Sequence, residues 1–394
     1  MTNPLISATF IYDGSAPPII PERMLPKDPA SIAARGQMQG TPMEQLVELA
    51  GRVCYDSLGV GRPSADYHKH ILEVGHLSVL EHAVFTVRWE CNQVTIINWA
   101  LEFLNRPNIS VKHGYSPDDR DQWFLEVTLN LRHVLEWYQV LKGPFPHPAK
   151  IRVLRHLAHQ LAPAIVGPSD ELAEDEVYFR LIDPRDDRQK WATYLLTGSR
   201  GFSHELVRHG DWTAISQRST RYVDESESPW VDHPLTLKWA QCSSRGCADL
   251  DRAEERRRRT IASGGGAGTR FDSAPGLMTW EATEHAKAAY RVLVSELEPW
   301  LITRGVDKFS AKKQSRGAAR GYLGNALYTE VVFSASLAQF KHMIRMRACA
   351  AADAEIREVF VQVFRDMAVR YADRFTGWTV VPAPDGIGEV VVPA

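Results

Sequence analysis

A mixed α/β (α+β) fold is what this sequence predicts, and three stretches carry the prediction. Residues 83–90 (AVFTVRWE) and 327–334 are short runs rich in β-branched and aromatic side chains, the composition of strands. Residues 353–375 instead repeat apolar side chains at Ile356, Val359, Phe360, Val363, Phe364, Met367, Ala368 and Tyr371. That is the period of about 3.6 residues expected of a helix with one buried face.

Taken in order, residues 1–40 hold many prolines, and only Ile6, Thr9, Ile11 and Tyr12 suggest a strand within an extended lead-in. A helix starts at Thr41-Pro42-Met43-Glu44, where Thr41 can cap, Pro42 suits the first turn and Glu44 closes a capping box. Leu46, Leu49, Ala50, Val53 and Cys54 give it an apolar face. A second helix near 65–74 leads into Gly75-His76-Leu77-Ser78-Val79-Leu80-Glu81-His82, in which Ser78 and Glu81 pattern as another capping box. Farther on, 96–103 reads as helix, 123–140 as a strand running into a helix, and 152–161 as a basic amphipathic helix. Residues 191–210 begin as an apolar run and continue through Phe202, Leu206 and Val207 at helical spacing. Residues 242–270, with four consecutive arginines and a glycine triplet, read as a mobile surface loop. Helices are expected at about 280–302 and 311–320, then a strand from 327 and a helix through Arg347.

Composition narrows the function classes. The 394 residues are 44% hydrophobic and 24% charged, with a net charge of −2, which excludes a general nucleic-acid binder and leaves room only for a local basic patch. No run is long and apolar enough to span a bilayer and no leader pattern opens the chain, so a cytoplasmic location without membrane contact is expected. The five cysteines are scattered without a CxxC, which disfavours a disulfide framework or zinc site. The histidines His68, His70, His76, His82 and His113 fit no metal-ligand spacing, so no metal is expected.

The densest chemistry lies at 208–222 (RHGDWTAISQRSTRY). Three arginines, a histidine, two serines and a glutamine follow an apolar run. Arginine's rigid fork of N–H donors matches phosphate oxygens, and serine adds short neutral donors. The competing reading is a basic solvated loop.

These stretches together resemble the flavin-dependent thymidylate synthases. The family's GHxSxxEHxxFTF segment is matched by 75–86, its RHRxxSxNExSxRY segment by Arg208-His209 with 216–222, and its LRxxxxAQxEIR segment by Arg347 with 352–357. Residues 319–323 and 327–330 fit an ARxxLPxxxYT segment. The resemblance implies a catalytic domain over 41–375 with the family's α/β fold, interrupted by a mostly helical insertion at about 91–190 and followed by a tail at 376–394. It implies FAD as cofactor, with NADPH and methylenetetrahydrofolate as co-substrates, and C5 methylation of a uridine monophosphate nucleotide. It also implies a homotetramer whose sites are shared between chains. Arg208, His209 and Gly210 would meet the flavin phosphates, with Arg208 also reaching the nucleotide. His76, Ser78, Gln217, Ser336, Ala338 and His342 would line the flavin. Arg218, Ser219, Thr220, Arg221 and Arg320 would hold the nucleotide, Gln217 would touch both ligands, and Arg347 would face the pyrimidine ring as the catalytic cation.

The departures from the pattern are as informative. Gly210 replaces the second arginine of RHR, one extra residue separates His209 from Tyr222, and Glu205 stands where the family has glutamine. Ser336 and Ala338 replace an Asn-x-Arg flavin contact, and Asn130-Leu131-Arg132 in the insertion is a candidate substitute. These changes raise UMP beside dUMP as substrate, as for a UMP methylase of polyoxin-type nucleoside-antibiotic biosynthesis in the same family, with Glu205 accepting from the 2′-hydroxyl. A C5 hydroxymethylase and a non-catalytic flavin- or nucleotide-binding relic are the alternatives.

Overall fold

The computed structural model describes residues 3–14, 16–20, 38–58, 62–91, 100, 109–115, 122–141, 148–168, 179–210, 212–236 and 275–394. The expected loop at 242–270, and all of the expected helix at 96–103 except Ala100, lie outside them.

Two four-stranded antiparallel sheets form the frame. The first is ordered β1 (Ser7–Tyr12), β6 (Trp191–Ser199), β8 (Tyr328–Ser336), β7 (Thr213–Gln217). The second is ordered β3 (Ser110–Tyr115), β4 (Trp123–Asn130), β2 (Val84–Cys91), β5 (Phe179–Ile182). Strands at 7–12, 84–91 and 328–336, and the strand running into helix α3 (Leu131–Leu141), follow the sequence expectations.

The region 91–190 differs from the mostly helical expectation. It contributes α3 and α4 (Pro148–Leu161), but also β3, β4 and β5, three of the four strands of the second sheet. The physical reason is the motif strand β2. A lone strand has two open edges of unpaired backbone, and β4 and β5 close them from either side. The first sheet corrects the reading of 191–210. Tyr194 and Leu196 face one core while Leu195 faces the other, so β6 is buried on both faces and its apolar run is continuous rather than alternating. Only after Ser199 does the chain turn helical, in α5 (Arg200–Leu206).

Helix α1 (Pro42–Tyr55) begins at the expected capping box: Thr41 Oγ1 accepts from the Glu44 N–H at 3.2 Å and the Glu44 carboxylate accepts from the Thr41 N–H at 2.9 Å. After α2 (Ser64–Glu73), the second expected box does not form; residues Leu77–His82 make a 3-10 turn without a side-chain cap. The second core fills the space between the first sheet and helices α8 (Leu337–Arg347) and α9 (Ala354–Arg370). Helices α6 (Pro275–Thr303) and α7 (Lys308–Ala319) precede them. The segment expected as a tail folds back as a hairpin, β9 (Thr379–Pro382) with β10 (Glu389–Val392), and the Val391 N–H donates to the Ala348 carbonyl at 2.8 Å. No helix of the described residues is long and apolar enough to cross a membrane.

Candidate active site

The site grows from the junction between β6 and α5. Ser199 caps α5 by accepting from the Phe202 N–H, and its own N–H and hydroxyl donate to the buried Glu355 carboxylate at 2.6 and 2.7 Å. Gly198 is required beside it, because a Cβ there would stand 2.8 Å from Glu355 Oε1 and 3.0 Å from the Phe202 ring. Burial raises the Glu355 pKa, and the Ser199 donors oppose that shift. Arg357, 1% exposed, donates to the Ala350 and Ile387 carbonyls and to Asp385. The acidic and basic residues of the third motif therefore act as supports that fix the turn after Arg347 and the start of α5.

That junction projects Arg200, which sequence reasoning left unassigned. Its pKa is lowered first by burial, opposed by Glu225, and lowered further by Arg320. Glu225 offsets the Arg320 repulsion, and an anion bound between the two arginines would offset it further. The signal was present as Ser199-Arg200 directly after a strand-like run, but only the fold brings Arg200 toward Arg320.

At the other end of α5 the chain passes through the 3-10 turn Val207–His209. Arg347, the last residue of α8, donates through Nε to His209 Nε2 at 2.8 Å and through Nη1 to the Glu205 carboxylate at 2.9 Å. His209 Nε2 is thus an acceptor, so the imidazole is neutral with its proton on Nδ1. Burial first, then Arg347 and His342, hold its pKa below the usual value. The exposed His342 ring lies 6.2 Å from that of His209. Glu205, His209, His342 and Arg347 are thus brought together where α5 and α8 end. Gly210 has a helical backbone (φ −65°), and a Cβ there would meet only the Val207 carbonyl at 3.5 Å. Just before β7, Trp212 has a positive φ of 59°, uncommon for a bulky side chain.

Beyond β7 the Ser219–Tyr222 turn is held from several sides. The Ser219 N–H donates to the Cys54 carbonyl, and Arg316 of α7 donates to the Tyr222 carbonyl at 2.5 Å and to Asp224 at 2.9 Å. Arg221 is exposed and passes beside Gly317 of α7, while Arg320 stands exposed in the 3-10 turn after it. Thr220 is buried. Arg218 is placed differently from the implied nucleotide contact. Its guanidinium bonds Glu225, Ser228 and Asp56, and it is an internal tie. Gln217 likewise donates to Ser203 and Thr329, inside the sheet–helix seam.

The first motif joins through rings. Tyr55 packs edge-on against His76 at 5.4 Å and Tyr222 at 4.7 Å, linking the two motifs, and burial lowers the His76 pKa. Ser78 lies half-buried in the Leu77–His82 turn. His82 is fully buried, bonded to Ser216 of β7 and Ser334 of β8, and burial pushes its pKa down to about 3. Ser336 caps α8, and the Ala338 N–H donates to the Asp187 carbonyl. Asn130 is buried as an acceptor for the His133 N–H, while Arg132 bonds Glu81 and Glu136 at 2.5 and 2.7 Å. Both residues of the candidate Asn-x-Arg substitute thus have structural partners. Cys54 is buried with its pKa raised to about 11 by burial, opposed by a bond to Ser216.

Comparison with known proteins identifies the family. The family model described as thymidylate synthase complementing protein matches residues 38–100 and 191–370. The chain belongs to that family. A flavin-dependent thymidylate synthase of Mycobacterium sp. (strain KMS) is 30% identical over 205 residues, 51% of this chain and 67% of that relative. One of the same description from Mycobacterium tuberculosis (strain ATCC 25177 / H37Ra) is 30% identical over 195 residues, 49% of this chain and 64% of the relative. A solved Helicobacter pylori thymidylate synthase X with FAD and dUMP aligns over 62% of this chain and 90% of that one, at 15% identity and a TM-score of 0.29. That likeness is too low to transfer geometry. The family match omits 101–190, the stretch that supplies β3, β4 and β5.

Proposed function

We propose that the protein carries out FAD-dependent C5 methylation of dUMP to dTMP, with methylenetetrahydrofolate as one-carbon donor and NADPH as reductant. One observation carries the reading. Arg200, Arg208, Arg221 and Arg320 have no hydrogen bond or ion pair from their guanidinium groups among the described residues, and the charges of Arg200 and Arg320 act on one another. Guanidinium groups left without a bonded partner beside the motif stretch are suited to an anionic ligand. The alternative of a non-catalytic relic gives no reason for Arg347 to be held by two partners while these four stay open.

In this reading Arg200, Arg221 and Arg320, with the Ser219 hydroxyl, grip the nucleotide phosphate. Arg208 and the Ser78 hydroxyl are donors that fit the flavin, whose diphosphate needs a cation and whose ring edge needs neutral hydrogen-bond groups. When bound, reduced flavin mediates delivery of the methylene unit. Arg347 faces the pyrimidine ring. Fixed by Glu205 and neutral His209, it presents its charge without reorganisation and stabilises negative charge developing at N3, which makes C5 more nucleophilic. Arg208, Arg221 and Arg320 are all exposed, which fits sites completed by neighbouring subunits of a homotetramer.

UMP as substrate is the second reading, raised by the extra residue between His209 and Tyr222. It is weakened at Glu205, whose carboxylate is engaged with Arg347 rather than free for a 2′-hydroxyl. A mass-spectrometric product assay with dUMP and UMP, methylenetetrahydrofolate, FAD and NADPH tests the proposal. A methylated deoxynucleotide is expected, a hydroxymethyl product would redirect the chemistry, and no product together with no bound flavin would favour the relic.

A further inference from the structure

The loop that follows Arg347 has little with which to hold itself. Ala348-Cys349-Ala350-Ala351-Ala352 contains no glycine to turn the chain, and its one polar side chain, the Cys349 thiol, donates to the Met346 carbonyl at 3.4 Å. Alanine favours continued helix, yet α8 stops at Arg347 and α9 starts afresh at Ala354. The end of α8 is therefore fixed from outside the loop.

The support comes from the C-terminal hairpin. The Val391 N–H of β10 donates to the Ala348 carbonyl at 2.8 Å. In the first turn of α9, buried Arg357 donates to the Ala350 carbonyl at 3.3 Å on one side. On the other side it donates to the Asp385 carboxylate and the Ile387 carbonyl, both in the turn of the hairpin, at 2.7 and 2.8 Å. Asp385 also accepts from the Ile387 N–H at 2.9 Å, so one side chain shapes the turn and neutralises the buried guanidinium. No other carboxylate bonds Arg357 among the described residues, and a buried cation that loses its partner is strongly destabilised. Val390 and Val391 are buried, Val391 within the second core, which seats the hairpin. The family match ends at residue 370, so the N–H and the carboxylate that brace the loop belong to the present chain rather than to the family frame.

Arg347 is the last residue of α8, and from there its guanidinium reaches His209 and Glu205. Fraying of that last turn would carry it away from both partners. We propose that the hairpin is the positioning element of Arg347, with Asp385 and the Val391 N–H holding the end of α8 so that the guanidinium keeps its place. This placement rests on the reading of Arg347 as the cation facing the pyrimidine ring; the hairpin acts on the ring only through Arg347.

The test follows Arg347 through its neighbour. Burial first, then the Arg347 charge, keep the His209 pKa below its usual value. NMR titration of the full-length, flavin-loaded protein with labelled histidine, assigned with His209→Gln, measures it. Arg347→Ala should raise it and marks the full loss. Asp385→Ala should raise it part of the way. Val391→Pro, which removes one N–H that points away from β9, should do the same and serves if Asp385→Ala does not fold. Asp385→Glu keeps a carboxylate for Arg357 and should recover most of the wild-type value. In the dTMP assay, Asp385→Ala should lower kcat about ten-fold, since misplacement by a distant mutation costs up to about 10²-fold. Nucleotide Kd should stay within about two-fold. In an Arg347→Ala background the same substitution should cost nothing more. A His209 titration unmoved by both Asp385→Ala and Val391→Pro, or an equal kcat loss with and without Arg347, would overturn the proposal. Should the wild type form no methylated nucleotide, the methylation reading fails, while the His209 titration still decides the placement.

Discussion

Two sets of arginines in this molecule are held in opposite ways. Around the second sheet, Arg88 is clasped by Glu90 and Glu126 at 2.8 Å each, and Arg132 by Glu81 and Glu136. Around the first sheet Arg218 is tied in the same way to Glu225 and Asp56, but Arg200, Arg208, Arg221 and Arg320 have no bonded carboxylate among the described residues, and Arg200 and Arg320 oppose one another. Arg347 stands between these cases, held by one carboxylate and one neutral imidazole. Pairing converts a cation into a structural tie, whereas an open cation keeps its capacity for a ligand. The contrast therefore distinguishes residues that build the frame from residues that serve chemistry, even where both are arginines in recognisable motifs.

The sharpest way to break the contrast is Arg347→Ala. If its charge stabilises the ring in the transition state, kcat for dTMP formation should fall about 10²–10³-fold, the loss typical of one fixed donor to a developing anion. Nucleotide affinity measured by equilibrium binding should change much less. A fall confined to KM would show that Arg347 only binds.

Acid stability probes the frame itself. His82 is neutral between Ser216 and Ser334, with a folded pKa of about 3 against an ordinary 6.5. The unfolded chain binds this proton first, so the contribution is complete above about pH 6.5 and is lost as pH falls toward 3. The slope is up to about 1.4 kcal/mol per pH unit. Thermal melts of the wild type from pH 7 to 4 should decline more steeply than those of His82→Gln; parallel slopes would mean that His82 is not the proton acceptor. His82→Gln also tests the seam between the motif turn and the first sheet.

Next in size is the open pair. Arg320→Ala or Arg200→Ala removes a charge-assisted bond worth about 1.5–3 kcal/mol, so nucleotide Kd should rise about 10- to 150-fold with a smaller change in kcat. Arg200→Ala is the more informative variant, because it tests a residue that only the fold identified. An unchanged Kd would place the phosphate elsewhere.

How much of this was legible in the sequence depends on whether a residue's role is local. The capping box at Thr41, the period of α9 and the strand at 84–91 are local, and the structure has them where the sequence predicts them. The motif order was enough to identify the family. Residues whose neighbours are distant in sequence were not legible. Arg218 sits in a basic motif and reads as a ligand contact, yet Glu225 and Asp56 complete it internally. Glu81 reads as a capping-box carboxylate, but its partner Arg132 arrives 51 residues later. Within 91–190 the strand opening 123–140 was legible, whereas β5 spans only Phe179–Ile182 and finds its partner β2 far back in the sequence.

The smallest expected effect concerns Arg132, and it tests the rule that a paired arginine is a tie. Arg132 carries two carboxylates, Glu81 and Glu136, and its side chain is 37% exposed. Solvent at such a site screens the pairing, and each bridge contributes about 0.2–1 kcal/mol at most. The Arg132 pKa is raised, by the Glu136 bond first, against an opposing contribution from burial, with the Glu81 bond adding to the rise. Arg132→Ala should thus lower Tm slightly and leave flavin content and flavin Kd within about two-fold of the wild type. Its companion Arg208→Ala, which removes an open cation, should release flavin under the same gel filtration. If Arg132→Ala lost flavin as readily as Arg208→Ala, the guanidinium would have to leave both carboxylates to reach the cofactor. Asn130-Leu131-Arg132 would then be the replacement flavin contact after all, and pairing in the free protein would cease to separate frame from site.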